Sequence, residues 1–178
     1  MDTVNARLAY RFIDWAKKYQ IVIKIAYWPV DHARNEMVRD FLKSDCTHLL
    51  FIDEDTIPPV DAPQRLLESG KDIISGITPI YSDRGVKMNC FINKDGKEYQ
   101  VNKNSGIVEI SRCGASCLMI SRKVLEGMKE PWFKIQYDDT GRPVMSEDLT
   151  FCDNAVKLGN QIYCDTSIIC NHAKTVLL

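Results

Sequence analysis

Val4, Leu8, Phe12 and Trp15 recur at intervals of four, four and three residues, which predicts an amphipathic helix over 3–18 behind an Asp2/Thr3 cap. The pattern then switches. IVIKIAYW (21–28) is apolar and β-branched and predicts a strand, and after Pro29 a second helical spacing runs through Ala33, Met37, Val38, Phe41 and Leu42. HLLFID (48–53) is a short, almost wholly apolar run of the kind buried on both faces of a parallel sheet. Two strand–helix steps leading to a buried strand predict a doubly wound α/β core.

Beyond it, Pro58 and Pro59 precede a short helix near 61–69 closed by Gly70, and DIIS (72–75) reads as a strand stopped by Gly76. Asp95–Gly96 is a hairpin signal within CFINKDGKEYQV and IVEI (107–110) is a further short strand, so the middle third reads as antiparallel sheet on the edge of the parallel core. CLMIS (117–121) predicts a strand entering a helix capped by Ser121. Residues 131–145 read as a polar loop studded with Trp132, Phe133, Tyr137 and Pro143, and 146–159 as a helix running from Ser146 to Gly159. A strand QIYC and a tail with Asn171, His172 and Lys174 follow. No repeat divides the chain, so 1–178 reads as one domain.

Composition narrows the function classes. The 178 residues carry 23 Lys+Arg against 24 Asp+Glu, a net charge of −1 with no basic run, so the electrostatic footprint of a nucleic-acid binder is absent. No apolar run reaches the length of a membrane span, and Asp2, Arg7, Arg11, Asp14, Lys17 and Lys18 make the first twenty residues unlike a signal peptide. The expected compartment is the cytoplasm; a homo-oligomer is compatible with the sequence. Seven scattered cysteines suggest no disulfide framework. Cys113 and Cys117 form a CxxxC and Cys170 lies two residues before His172, but no CxxC pair exists, so reduced buried thiols are the better reading than a zinc site.

Four groups carry candidate chemistry. Asp53-Glu54-Asp55 follows the apolar run directly; in an extended segment Asp53 and Asp55 share a side, and carboxylates so close suit Mg²⁺ or Mn²⁺ with a diphosphate. Arg34 and Asn35 are expected in the first turn of the helix after 21–28, on the same sheet rim. Glu147 and Asp148 open the helix after the polar loop, where the helix dipole alone would account for them and a general base is the functional alternative. His172 can complete a cation shell, with Lys174 two residues on facing phosphate.

Taken together, ARN (33–35), THLLFIDEDTIPP (47–59), DIISGITP (72–79), CGASCLMISRKVLEGM with PWF (113–133) and SEDLTFCDNAVKLGNQIYCD (146–165) with His172 resemble a GT-A type nucleotide-sugar glycosyltransferase. The resemblance implies a single Rossmann-like mixed sheet flanked by helices. It implies transfer of a sugar from a UDP- or GDP-linked donor to an acceptor hydroxyl with Mn²⁺ or Mg²⁺. By it, Asp53, Asp55 and His172 are metal residues, and Arg34, Asn35, Asp53, Glu54 and Lys174 hold the nucleotide. Gly114, Ala115 and Trp132 face sugar or acceptor, and Asp148, with Glu147 second, is the catalytic base. One departure is that the usual first strand of such domains is missing ahead of the opening helix, which keeps a catalytically impaired nucleotide-sugar or carbohydrate-binding homologue in view. FIDEDTI also approximates the nucleophile loop of haloacid dehalogenase-like phosphatases, with Asp53 attacking phosphorus.

Overall fold

The computed structural model describes residues 6–19, 29–82 and 85–173. The strand expected over 21–28, the Asp2/Thr3 cap and Lys174 lie outside them. In chain order the elements are α1 (Ala6–Ala16), α2 (Val30–Leu42), β1 (His48–Ile52), β2 (Thr56–Ile57), α3 (Ala62–Glu68), β3 (Ile73–Ile77), β4 (Pro79–Ser82), β5 (Gly85–Met88), β6 (Cys90–Lys94) and β7 (Lys97–Gln100). There follow β8 (Ile107–Ile110), β9 (Arg112–Cys113), β10 (Cys117–Ser121), α4 (Arg122–Gly127), β11 (Gln136–Tyr137), β12 (Pro143–Met145), α5 (Glu147–Lys157), β13 (Ile162–Ile169) and β14 (Asn171–His172).

The central sheet is five-stranded, in the order β1-β10-β3-β13-β8. It is mixed rather than doubly wound parallel. β10 runs antiparallel to both β1 and β3, β8 runs antiparallel to β13, and only β3 and β13 are parallel. HLLFI is consequently not a strand buried on both faces: among the described residues β1 is an edge strand, and of its five side chains Phe51 alone is buried. The other sheets are small: β7-β6-β9 and the ribbons β4-β5, β11-β12 and β14-β2. The Asp95–Gly96 turn joins β6 and β7 with both residues at positive φ, 52° and 75°, as a two-residue hairpin loop requires.

Side-chain alternation along the strands builds two apolar layers. Phe51, Ile73, Ile77, Leu118 and Ile120 meet Val38 and Phe41 of α2, Val124 and Leu125 of α4, and Phe151, Cys152 and Ala155 of α5. Ile74, Cys117, Met119 and Ile168 meet Ala62 and Leu66 of α3 on the other face. Gly76 does not stop its strand. β3 continues through it, and a Cβ there would come within 2.7 Å of the Ile168 Cγ2 atom, so the close approach of β13 requires glycine.

The segment read as a polar loop is partly core. Trp132 is buried with Nε1 donating to the Leu125 carbonyl (2.9 Å), and Phe133 is buried and stacked on Phe151 at 4.7 Å between ring centroids. α1 lays Leu8 and Trp15 inward, and the Trp15 Nε1 donates to the Val60 carbonyl at 2.7 Å, 45 residues away. All seven cysteines are free, six of them buried. No helix among the described residues is long and apolar enough to cross a membrane.

Candidate functional site

Arg34 organises one half of the site. α2 begins at Val30, so Arg34 and Asn35 sit in its second turn rather than its first. The Arg34 guanidinium is buried. Its Nε donates to Glu147 Oε1 and one terminal nitrogen to Asp53 Oδ1, both at 3.0 Å, and it lies 5.2 Å from the centre of the Phe51 ring. Burial works against its charge, but the Asp53 and Glu147 carboxylates outweigh it and raise its pKa. Burial and the neighbouring Asp148 carboxylate push Glu147 above the ordinary glutamate range, against the pull of Arg34.

Asp53 and Asp55 do not converge. An extended segment was the expectation, but the Thr56 N–H donates to the Asp53 carbonyl at 2.9 Å and closes a turn. The turn sends Asp53 to Arg34 and Asp55 to His172, whose Nε2 lies 2.8 Å from Asp55 Oδ2; Glu54 is exposed between them. His172 is carried there by β14, which pairs antiparallel with β2 so that His172 stands opposite Thr56. Its Nδ1 lies 2.8 Å from the Pro79 carbonyl, which can only accept, so Nδ1 carries a hydrogen. Nε2 and Asp55 Oδ2 are then two acceptors aimed at each other unless a proton or a cation stands between them.

The donor set fits a divalent cation in that sense, with two protein ligands rather than the expected three. Among the described residues no group of three or more His, Cys, Asp or Glu side chains is arranged to hold a metal, and Asp53 is turned away to Arg34.

Asp148 lies in the first turn of α5, beside Glu147. Its Oδ1 accepts from Ser146 Oγ and from the Leu149 N–H (2.8 Å), and its Oδ2 accepts from the Ala115 N–H at 3.3 Å. A Cβ on Gly114 would stand 3.5 Å from the same oxygen, so Gly114 and Ala115 present backbone to this carboxylate. Unlike Glu147, Asp148 is half-exposed.

Two expected site residues have other work. The Asn35 amide is spent on main chain: Nδ2 donates to the Asp31 and Phe133 carbonyls, each at 2.7 Å, and Oδ1 accepts the Phe133 N–H at 3.1 Å. It clamps the Phe133 segment and has no group left for a nucleotide. Trp132, expected to stack on a sugar, is core, with its indole N–H committed to Leu125.

The sequence reading missed a polar layer beneath Gly114 and Ala115. Buried Asn89 accepts the Thr78 N–H on Oδ1 (2.8 Å) and donates from Nδ2 to Ser116 Oγ (3.1 Å), while its carbonyl accepts the Gly114 N–H at 2.8 Å. Ser116 in turn donates to Thr78 Oγ1 at 2.8 Å, and its carbonyl accepts the Asp53 N–H at 3.2 Å. An Asn between Met88 and Cys90, inside an apolar stretch, was the available signal. Two surface cavities of about 430 and 400 Å³, both touching Ile92, are lined by none of these residues.

No family model and no curated protein sequence matches the chain. Among solved structures, the fold matches the crystal structure of A197 from STIV, with a TM-score of 0.66 at 22% identity over 98% of this chain and 82% of that one. That likeness establishes the mixed α/β fold.

Proposed function

We propose that the chain is a GT-A type glycosyltransferase that moves a sugar from a nucleoside-diphosphate sugar, UDP- or GDP-linked, to an acceptor hydroxyl with the help of Mn²⁺ or Mg²⁺. The observation that carries this reading is the Asp55–His172 pair, assembled from positions 117 residues apart, in which Nε2 and Oδ2 face each other at a distance a proton or a cation would bridge. Asp55 and His172 would hold the ion, whose charge offsets the negative charge that develops on the diphosphate leaving group. The Pro79 carbonyl holds Nδ1 of the imidazole, so Nε2 is the atom that would ligate the ion.

The remaining work falls to the chain's own residues. Arg34, locked between Asp53 and Glu147, fixes the two acidic segments relative to each other and orients Asp53 toward the rim. Asp148 is the base. Its Oδ1 is occupied by Ser146 and Leu149, so the acceptor proton is taken at Oδ2, where one long bond from Ala115 leaves a lone pair open. Glu147 is buried and bound to Arg34, which suits an anchor better than a proton acceptor.

Thermal shift with UDP and GDP, with and without Mn²⁺, tests the reading. The expected result is a raised melting temperature only when a nucleoside diphosphate and Mn²⁺ are both present, lost in His172→Ala. A shift indifferent to Mn²⁺, or none with either nucleotide, overturns it. Asp148→Asn should keep that shift and lose at least about a hundredfold in transfer; losing both contradicts the role given to Asp148.

A further inference from the structure

The CxxxC of residues 113–117 has no place in the chemistry above, yet its first cysteine belongs to a cluster. Cys90 and Cys113 stand directly opposite each other on β6 and β9. Cys152, on α5, reaches the same point: its Sγ accepts the Cys113 N–H at 3.5 Å and donates to the Cys113 carbonyl at 3.5 Å. Cys164, on β13, lies in the same apolar cluster. All four are buried in the layer shared with α5. A sulfur within 3.5 Å of both the N and O atoms of another cysteine puts the two α-carbons within the short reach of a disulfide. Cys117 and Cys170 share the other apolar layer, but β3 lies between β10, which carries Cys117, and β13, which ends just before Cys170, and two sheet steps span about 9–10 Å, which a disulfide does not cover without backbone movement.

We propose that Cys113 and Cys152 form a reversible disulfide that fastens the helix carrying Asp148 to the strand leading into Gly114 and Ala115. The oxidant is a small-molecule disulfide of the glutathione type. One protein thiolate attacks a sulfur of the reagent and releases one reagent thiolate; the second protein thiolate attacks the mixed disulfide and releases the other. The protein loses two electrons, the reagent gains them, and the two protein protons end on the two released thiols. Burial makes the reaction wait for local opening of α5 from β9, so it is slow in the folded protein. The bond lies one helical turn from Asp148 and closes a separation of 39 residues. It stands or falls whether or not the chain transfers sugar.

The test is incubation of the folded protein with glutathione disulfide, alkylation of remaining thiols, tryptic digestion and mass spectrometry. The expected product joins peptide 113–122, alkylated at Cys117, to peptide 135–157, about 2 Da below the sum of those two peptides with Cys113 and Cys152 as free thiols. It persists in Cys117→Ser, disappears in Cys113→Ser and reverts with dithiothreitol. The oxidised protein melts higher by roughly 8–15 °C. Seven alkylatable thiols after prolonged incubation, glutathione adducts alone, a link to Cys90 or Cys117 instead, or an unmoved melting temperature would each overturn the proposal.

Discussion

At Arg34 a single buried cation meets two carboxylates and an aromatic face, and removing it strands both acids. Arg34→Met should therefore cost about 3–5 kcal/mol in urea unfolding, well beyond a surface substitution, because an uncompensated buried charge is left behind. Glu147 adds a pH signature. Its folded pKa is raised, so between the ordinary glutamate range and that raised value the folded protein binds the proton more tightly than the unfolded chain. The contribution is present at low pH and lost as pH rises through the window. Unfolding midpoints taken from pH 4 upward should show that fall in the native protein and not in Glu147→Gln. Residue types were legible here and conformations were not. Alternation placed Asp53 beside Asp55, and one turn hydrogen bond from Thr56 separated them, a choice that no spacing rule anticipates.

At the scale of elements, capping shows how far local patterns carry. Ser121 and Ser146 do precede α4 and α5 as expected, but neither side chain caps its helix: Ser121 Oγ donates to Asp72 and Ser146 Oγ to Asp148. The strongest cap is non-local. Arg122 donates to the carbonyls of Phe41, Leu42, Ser44 and Cys46 at and beyond the end of α2 and lies 4.7 Å from the centre of the Phe41 ring. Arg122→Ala should lower stability by about 2–3 kcal/mol, read by denaturant titration, whereas Lys123→Ala on the same helix stays within about 0.5 kcal/mol. Most helices and strands were visible from periodicity because each buries one face. The pairing of β10 between β1 and β3 was not, because it joins β10 to segments about seventy and about forty-five residues earlier and turns an apparently parallel core into a mixed one.

For the molecule as a whole, the sheet rim assembles four segments that the sequence treats as unrelated: α2, the turn after β1, the start of α5 and the β14 strand. Their joint content was legible as a list of residues, and Arg34, Asp53 and Glu147 do come together, as do Asp55 with His172. Asn35 and Trp132 were misplaced because their types suit a ligand and a core equally well, and only tertiary packing decides. The pairs also set the rim's electrical character. One arginine is shared by two acids, while Asp148 and Asp55 add further negative charge, and of these two Asp55 is paired with the His172 imidazole. A pyrophosphate approaching alone meets repulsion, and one approaching with its counter-ion does not. If the proposed transfer chemistry holds, the lip sets an order of arrival, metal first or metal escorted, so the apparent affinity for UDP should climb with manganese and that for manganese with UDP by the same factor.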